Sequence, residues 1–402
     1  MRKQSQIKLL GMLFLFILIS QIFAQPLPIA KPEDVGMSSN RLNLVKAITK
    51  AAIDRKDFPG SAILVARKGK IVLRDAFGKC QWIPEERPMK VNMIFDLASI
   101  TKPVATATSI MILAEQGRIR LWDKVKEVVP EFVPYVDEDG NPAEDARIWH
   151  LLTHTSGLPP YTDAKQVETK FGNPCPMDSL VKHIALLKKT DPPGRAFHYS
   201  CLGFITLAYI IDRITGQTVA EFSEKHIFKP LQMNHTFYNP PQQYRQLCIP
   251  TAVIDGQSLI GVVHDPLARL QAGISGNAGL FSTIDDLATF AQMMLNKGEF
   301  NGMRILSPLT VERMTEVYPE VLFSGRGLGW DLNSAYSTNG GDIFGPQSYG
   351  HTGYTGTSLW IDPETETFVI FLTNRVHPDD KGSIISLRSR VANIVASAIL
   401  KK

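Results

Sequence analysis

The sequence predicts an α+β fold in which one antiparallel β-sheet, flanked by helices, is built from both ends of the chain, with a mainly helical subdomain inserted in the middle. Near the N-terminus, residues 61–67 and 70–77 are rich in β-branched and apolar side chains and are separated by a Lys-Gly pair, which predicts a hairpin. Near the C-terminus, residues 357–362 and 367–373 form a second such pair. We therefore expect the two chain ends to meet in one sheet.

Helical patterns accompany both hairpins and fill the sequence between them. Ser39 and Asn40 can cap a helix that runs to about residue 55. In the middle of the chain, residues 202–214 and 284–296 are typical of helices that end at glycines. The chain closes on apolar residues at helical spacing, which are Ile384, Leu387, Val391, Ile394, Val395 and Ala398.

These elements predict two subdomains within one domain of residues 25–402. The sheet subdomain is expected to cover about residues 30–104 and 345–402, and the helical insertion about residues 105–344. Ligand sites are frequent where two parts of a fold meet, so a functional site is expected in the cleft between the subdomains.

Residues 1–24 are typical of a secretory signal peptide. Arginine and lysine side chains precede the apolar run 9–20, and Ala24 ends a suitable cleavage site. The apolar run is shorter than the ~20 residues of a membrane-spanning helix, so a retained membrane anchor is the minor alternative. We expect an exported protein, periplasmic or secreted, without a transmembrane span in its mature chain.

The composition excludes several classes of protein. Apolar residues make up 44% of the chain, and the net charge is +4, of which Arg2, Lys3 and Lys8 of the predicted signal supply three charges. A mature chain close to neutral, without a basic cluster, is not expected to bind nucleic acid. The four cysteines include no Cys-x-x-Cys pair for zinc, and their pairing is left open, as is the oligomeric state. We expect no cofactor and no metal ion.

The segment Ser99-Ile100-Thr101-Lys102 is the first candidate for catalysis. Side chains three residues apart on a helix lie on one face, so the Lys102 amine can reach the Ser99 hydroxyl. Pro103 fits only a first helical turn, which places Ser99 at the entrance of a helix over residues 104–115. The positive end of that helix would stabilise an alkoxide and disfavour a second cation. We therefore expect an activated nucleophile beside a neutral, basic amine, as acyl-enzyme chemistry requires.

This spacing alone is weak evidence. The chain contains two further Ser-x-x-Lys matches, Ser5 to Lys8 and Ser179 to Lys182, and neither needs a catalytic explanation. The structural alternative for Ser99 is a simple helix N-cap, a position that serine often occupies.

Two later segments supply the groups that such a nucleophile needs. Residues 197–201 place the phenol of Tyr199 just ahead of a predicted helix, and residues 350–356 place the imidazole of His351 between glycines ahead of a predicted strand. Taken singly, Tyr199 could be a core aromatic residue and His351 an ordinary loop residue.

With Ser99, Tyr199 and His351 in this order, the chain resembles the serine β-lactamase and penicillin-binding protein superfamily. It is most similar to the branch of class C β-lactamases, D,D-carboxypeptidases and related esterases, whose signatures include Ser-x-x-Lys and a Lys-Thr-Gly triplet. Residues 151–158 and 277–287 also resemble segments of that family. The resemblance covers nearly the whole mature chain.

The resemblance implies a role for each group. Ser99 would attack a carbonyl and form an acyl-enzyme, and Lys102 would take the serine proton. Tyr199 would help, with a phenol pKa depressed by the adjacent cation, and would pass the proton to the leaving group. The backbone N–H groups of Ser99 and Tyr354 would form the oxyanion hole.

Two departures from the family pattern affect the expected substrate. His351, Thr352 and Gly353 would line the strand edge that binds the substrate carbonyl or carboxylate, but His351 replaces the usual lysine. Because histidine is only partly charged near neutral pH, carboxylate recognition should be weaker or pH-dependent. Cys201 replaces the asparagine of the second motif, and a thiol is a weaker partner for the substrate or for Lys102.

The resulting hypothesis is an exported serine hydrolase that acts on a D-alanyl peptide or on a small ester or amide. One alternative is a true β-lactamase, which is less favoured because of the two departures and because the class A Glu-x-x-Leu-Asn motif is absent from the sequence. Another is a penicillin-binding receptor or scaffold without turnover. His150 and His154 have a spacing that zinc sites use, but the glutamate of zinc proteases does not follow His150. No Gly-x-Ser-x-Gly elbow and no phosphate-binding glycine loop is present.

Overall fold

The computed structural model describes residues 27–401, and the predicted signal peptide over residues 1–24 lies outside them. The strands, in chain order, are β1 (Gly60–Arg67), β2 (Lys70–Gln81), β3 (Arg87–Pro88), β4 (Phe95–Asp96), β5 (Phe237–Tyr238), β6 (Pro250–Ile254), β7 (Gln257–Ile260), β8 (Leu280–Ser282), β9 (Glu299–Phe300), β10 (Met303–Arg304), β11 (Tyr349–Thr352), β12 (Thr357–Asp362) and β13 (Thr367–Thr373).

The α-helices are α1 (Ser39–Asp54), α2 (Thr108–Glu115), α3 (Ile148–Leu152), α4 (Ala164–Phe171), α5 (Met177–Leu186), α6 (Cys201–Thr215), α7 (Val219–Ser223), α8 (Pro266–Leu270), α9 (Ile284–Leu295), α10 (Pro308–Met314) and α11 (Ile385–Ala398). The four helices predicted from capping and periodicity correspond to α1, α6, α9 and α11, with ends that differ by one or two residues.

The principal sheet has six antiparallel strands in the order β11-β12-β13-β1-β2-β3. The N-terminal and C-terminal hairpins are joined by the pairing of β1 with β13, in which Ala62 lies opposite Leu372. Both hairpins and the α+β class are therefore confirmed. The second strand of the first hairpin is longer than expected and continues to Gln81, where it pairs with β3.

All eight residues of β1 are buried. Because successive side chains of a strand point to opposite faces, both faces of β1 are covered. On one face, Ile63 and Val65 pack in a cluster with Val45 of α1 and Val391 of α11. On the other face, Leu64 belongs to the large core cluster, which includes residues of α9 and of the inserted region. The sheet therefore lies between the terminal helices and the insertion.

The inserted region is mainly helical, but it also contains short strands that the sequence analysis did not predict. One set is a three-stranded sheet in the order β4-β8-β5, to which the insertion contributes β5 and β8 and the preceding segment contributes β4, and two others are the pairs β6-β7 and β9-β10. β4 has two residues and ends three residues before Ser99, so this small sheet positions the candidate nucleophile. The subdomain limits at residues 104 and 345 stay predictions.

The helix after the candidate nucleophile Ser99 differs from the expected continuous helix over residues 104–115. It begins with a π-helical turn, Lys102–Ala107, and continues as α2. Pro103 has no N–H to donate to a regular helical ladder, which favours an irregular first turn. π-turns within helices are frequent at functional sites.

We expect Leu64→Ala to lower the free energy of unfolding by about 2–5 kcal/mol, the usual cost of truncating a fully buried leucine. Leu64 is completely buried in β1, where a cavity would remain between the sheet and the insertion. Leu44→Ala is the matched control because Leu44 is about half exposed on α1 (52%), and its effect should stay within about 0.5 kcal/mol. Urea unfolding measures both, and equal effects would contradict this account of the core.

The cysteines Cys80, Cys175, Cys201 and Cys248 are all free thiols, which answers the question of pairing that the sequence left open. Within residues 27–401, no helix has both the length and the apolar character needed to cross a bilayer.

Candidate active site

The candidate nucleophile Ser99 lies on a tight turn after β4. The Asp96 carboxylate accepts a hydrogen bond from the Ala98 N–H at 2.9 Å, and the Leu97 N–H donates to the Leu280 carbonyl of β8 at 2.9 Å. Ala98 has φ +46°, in the left-handed region that alanine seldom adopts. Such strained residues occur at active sites when surrounding contacts hold them in place.

Lys102 is fully buried below Ser99, and its amine has three acceptors. The Nζ atom lies 3.1 Å from Ser99 Oγ, 2.9 Å from the Asn277 carbonyl oxygen and 3.5 Å from Cys201 Sγ. An ammonium group has three N–H donors and no acceptor, so these contacts match its protonated form. The structure thus brings Ser99, Lys102 and Cys201 together.

The charge state differs from the expected neutral amine beside a phenol of depressed pKa. Burial acts to lower the pKa of Lys102, but its net direction is upward because the anionic forms of Cys201 and Tyr199 would lie beside it. Burial raises the pKa of Tyr199 in turn, although Lys102 partly opposes this. The pKa values of both groups are therefore shifted upward, opposite to the neutral amine and the depressed phenol pKa that the sequence analysis expected.

Tyr199 lies in the extended segment before α6 and is held by other rings. Its ring centroid is 4.3 Å from that of His154 and 5.3 Å from that of Tyr336. Lys102 Nζ is 5.1 Å from the Tyr199 ring centroid, and the Ser99 hydroxyl stabilises the phenolate form by hydrogen bonding. The phenol therefore belongs to the same group of side chains as Ser99 and Lys102.

His351 lies on β11, and its imidazole is neutral rather than partly charged. Burial is the main cause that holds its pKa well below 6.5, and the nearby cations of Arg326 and Lys102 add to it. Its Nδ1 atom is 2.8 Å from the Thr352 carbonyl, so Nδ1 carries the proton and Nε2 can accept from Arg326 at 3.3 Å. The expected titration of His351 near neutral pH was wrong.

Arg326 supplies the positive charge in this wall, and the sequence analysis missed it. Its side chain is 1% exposed, lies 3.4 Å from the Asp331 carboxylate and is 5.7 Å from the Tyr199 ring centroid. Asp331 in turn pairs with Gly350 of β11 through two backbone hydrogen bonds. No motif marks Arg326, because this loop reaches the site only through its pairing with the edge of the sheet.

Arg388 of α11 supports the turn that carries the predicted oxyanion hole. Its guanidinium donates to the carbonyl oxygens of Gly353 at 2.9 Å and Thr357 at 2.8 Å. Burial lowers the pKa of Arg388 to about 9, and the cation of Arg375 adds to this effect. Helical periodicity predicted α11 itself but gave no signal that one of its polar residues would enter the site.

The turn after β11 places Gly353 and Tyr354 beside the nucleophile segment. A Cβ atom on Gly353 would lie 2.3 Å from the Leu97 carbonyl oxygen, so only glycine permits this approach. The Tyr354 ring stacks on the His264 ring with centroids 5.5 Å apart, and its hydroxyl donates to Asp380 at 2.6 Å. The Arg375 side chain donates to the Tyr354 carbonyl at 2.9 Å. These contacts fix the turn from several sides.

A cavity of about 400 Å³ opens over these groups. Its charged lining residues are three arginines and one aspartate, which gives the walls an excess of positive charge. The described residues that line it are Ser99, Tyr199, Arg326, Asp331, Tyr336, Asn339, His351, Thr352, Gly353, Tyr354, Arg375, Gly382, Ser383, Ile384, Ile385 and Arg388. Most of the predicted site residues therefore meet in one cavity.

A sequence profile described as Beta-lactamase matches residues 45–392, most of the chain. The chain belongs to the β-lactamase family. It is 30% identical over 379 residues to the "N-acetylmuramyl-L-alanine amidase" of Bacillus subtilis, covering 87% of this chain and 84% of the relative. It is 31% identical over 380 residues to a Salmonella enteritidis protein named "Putative D-alanyl-D-alanine carboxypeptidase", with coverages of 87% and 86%.

Solved structures agree with this assignment at the level of the fold. The enzyme EstCE1, described as a hydrolase with promiscuous acyltransferase activity, superposes with a TM-score of 0.72 at 21% identity. The match covers 89% of this chain and 99% of that one. The β-lactamase-family fold found here is thus shared with an enzyme of low sequence identity.

The cysteine that departs from the usual second motif of the β-lactamase family keeps its contact with the lysine. Cys201 Sγ remains within 3.5 Å of Lys102 Nζ, and the Asn277 carbonyl gives the ammonium a stronger acceptor. Asn277 was not among the predicted site residues, although it lies in the 277–287 segment that resembles the family. The hydrogen bond from Lys102 to the Asn277 carbonyl thus compensates for the weaker contact that was expected between Lys102 and Cys201.

The alternative of a zinc site at His150 and His154 has no support in the geometry. The Nδ1 atoms of both rings accept backbone hydrogen bonds, from Arg147 at 2.9 Å and from Ser200 at 3.0 Å. Across the part of the chain that the structure describes, no three or more His, Cys, Asp or Glu side chains are grouped to hold a metal ion.

Proposed function

We propose that this protein is a serine hydrolase that forms an acyl-enzyme on Ser99 and acts on D-alanyl peptides or related small amides and esters. The observation that carries the proposal is the 3.1 Å contact of Lys102 Nζ with Ser99 Oγ beside a cavity that Tyr199 also lines. The names of its relatives, an amidase and a carboxypeptidase, and of EstCE1, a hydrolase, support this class of reaction.

Acylation begins when the Lys102–Tyr199 pair has lost one proton, because the resting ammonium cannot act as a base. The pair takes the proton of the Ser99 hydroxyl as Ser99 Oγ bonds to the substrate carbonyl carbon. The negative charge that develops on the carbonyl oxygen is stabilised by the N–H groups of Ser99 and Tyr354. Tyr199 then gives the proton to the leaving amine or alcohol as the carbonyl–leaving-group bond breaks, and water releases the acyl group by the reverse transfers.

The positive walls favour a substrate with a carboxylate next to the scissile bond. Arg326 carries its charge beside the neutral His351, and the Thr352 and Gly353 edge lines the same cavity. Because His351 is uncharged, we propose that Arg326 supplies the attraction that a lysine of the third motif supplies elsewhere in the family. A D-alanyl-D-alanine peptide has a free carboxylate on the residue that follows its scissile bond, whereas a simple ester does not.

We expect Arg326→Gln to raise KM for a D-alanyl-D-alanine peptide with a free carboxylate roughly 10-fold or more, since a charge-assisted hydrogen bond is worth about 1.5–3 kcal/mol. The same peptide with its C-terminus amidated is the internal control, and its KM should change much less. Steady-state kinetics on both peptides give the ratio. Equal losses on the two peptides would show that Arg326 does not recognise the carboxylate.

Two reagents separate this proposal from a true β-lactamase and from a receptor or scaffold. A nitrophenyl ester and a fluorescent penicillin are each followed by burst kinetics. Turnover of the ester with slow release of penicillin is the expected result. Fast hydrolysis of penicillin would indicate a β-lactamase. A stable penicillin adduct without turnover of the ester would indicate a receptor, and no reaction with either reagent would indicate a scaffold.

Export belongs to the same proposal. A signal peptide over residues 1–24 would deliver the domain of residues 25–402 to the periplasm or the medium, where cell-wall peptides occur. N-terminal sequencing of the protein recovered from a cell fractionation tests both the cleavage and the compartment.

A further inference from the structure

Asp96 is a buried carboxylate at the end of β4 that no step of the proposed reaction uses. It is 2% exposed and accepts hydrogen bonds from two backbone N–H groups, one in its own turn and one in a distant segment. Its Oδ1 atom accepts from the Ala98 N–H at 2.9 Å, and its Oδ2 atom accepts from the His264 N–H at 2.7 Å. The carboxylate therefore joins the nucleophile turn to the segment that contains His264.

Each partner is adjacent to one of the two residues that would form the predicted oxyanion hole. Ala98 directly precedes Ser99, which would provide one N–H of the hole. The His264 ring stacks on the ring of Tyr354, which would provide the other, with centroids 5.5 Å apart and planes inclined by 21°. The main chain adds a second link, since the Thr355 hydroxyl donates to the Asp96 carbonyl at 2.7 Å.

The turn needs such a restraint. Ala98 has φ +46°, a conformation that costs energy for any residue with a Cβ atom. The bond from its N–H to Asp96 offsets part of that cost and fixes the direction of the following N–H, that of Ser99. An oxyanion hole acts through donors placed within a few tenths of an ångström, so a small rotation of this turn would weaken it.

We propose that Asp96 is a positioning residue that holds the two halves of the oxyanion hole in register. The inference rests on the proposed function and adds to it a residue outside the family motifs quoted above. Because Asp96 does not touch the substrate, its loss should lower kcat more than it changes KM.

The charge on Asp96 gives this arrangement a pH dependence. Burial raises the pKa of Asp96 to about 6, the Asp265 carboxylate also raises it, and the two N–H donors together with the Arg269 cation lower it. Burial also lowers the pKa of His264, an effect that the Asp380 and Asp265 carboxylates partly oppose. Below about pH 6 the protonated carboxyl group has lost acceptor strength, and the turn it holds should loosen.

The test is Asp96→Asn, with Asp286→Asn as the matched control. Asp286 of α9 is also a buried carboxylate and also accepts a backbone N–H, from His235 at 2.7 Å, but it does not contact Ser99 or Tyr354. We expect Asp96→Asn to lower kcat on a nitrophenyl ester roughly 10- to 100-fold, as displacements of about 1 Å do at active sites, with KM within about threefold. Asp286→Asn should keep the wild-type kcat.

The pH profile separates positioning from a general loss of stability. In the wild type and in Asp286→Asn, log(kcat/KM) should fall more steeply below about pH 6, whereas Asp96→Asn should lack that extra fall. Equal kcat values in Asp96→Asn and Asp286→Asn, or an acid limb that persists in Asp96→Asn, would overturn the proposal. A wild type that turns over no ester would instead refute the proposed function.

A second pair of variants applies if Asp96→Asn does not fold. His264→Ala removes the ring that stacks on Tyr354 but keeps the backbone bond to Asp96, and it should lower kcat with little change in KM. His264→Phe restores an aromatic ring and should recover most of the lost kcat. Equal kcat in His264→Ala and the wild type would overturn the link from Asp96 to Tyr354.

Discussion

We expect Ser99→Ala to lower kcat by about 10³-fold or more on every substrate that the wild type turns over, because no other group can form the acyl bond. Mass spectrometry should show a covalent adduct on the wild type during ester or penicillin turnover and none on the variant. The substitution removes one oxygen at a partly exposed position, so the thermal unfolding midpoint should remain close to that of the wild type.

The chain provides a matched control for this result. Ser179 opens another Ser-x-x-Lys match, in α5, where its partner Lys182 instead lies 3.4 Å from the Glu131 carboxylate on the surface. Ser179→Ala should keep the wild-type kcat and the adduct. Full activity in Ser99→Ala would exclude the acyl-enzyme mechanism, whatever the reaction turns out to be.

Lys102→Met should have the second-largest effect, a fall in the acylation rate of about 10²- to 10⁴-fold, the range typical of a lost general base. Methionine nearly fills the same volume but cannot take the Ser99 proton. In the wild type, kcat/KM should rise with pH, since Lys102 and Tyr199 both have raised pKa values and one proton must leave the pair before attack. Stopped-flow acylation across pH measures the rate and this slope.

Lys189→Met is the control for burying a methionine in place of a lysine. Lys189 is also buried, and its Nζ atom donates to the carbonyl oxygens of Ala185 and Leu187 at 2.8 Å, away from the cavity. Burial lowers the pKa of Lys189 to about 8. Its replacement should cost stability and leave the acylation rate unchanged. Equal rate losses in the two variants would mean that Lys102 acts only through the fold.

Local patterns predicted the features that depend on neighbouring residues. The two hairpins follow from β-branched runs around short turns, and the strand bounds of the C-terminal hairpin were predicted to the residue. The Ser99–Lys102 contact follows from helical spacing, and the ordered motifs brought Tyr199 and His351 to the same cavity. The predictions of the hairpins and of the Ser99–Lys102 contact needed only the residue types in one short window, whereas those for Tyr199 and His351 also used the resemblance to the family.

The remaining features depend on contacts between distant segments. Arg326 and Asp96 enter the site through pairing and hydrogen bonds with segments far away in the sequence, which no local pattern encodes. The pKa shifts of Lys102, Tyr199 and His351 differ in direction or size from the expectation because burial and neighbouring charges set them. Strands of two or three residues, such as β4 and β8, are too short for any periodicity.

The pairing of β1 with β13 also determines the order in which the protein can assemble during synthesis. Next to this pair, the Arg67 side chain donates to the Thr365 carbonyl 298 residues later in the chain. A ribosome will therefore have made Ser99, Lys102 and Tyr199 long before their supporting strands exist, so the nascent polypeptide carries an unpaired apolar hairpin for most of translation. A premature stop codon just before β12 should thus yield an aggregation-prone fragment without activity, even though it retains these three side chains.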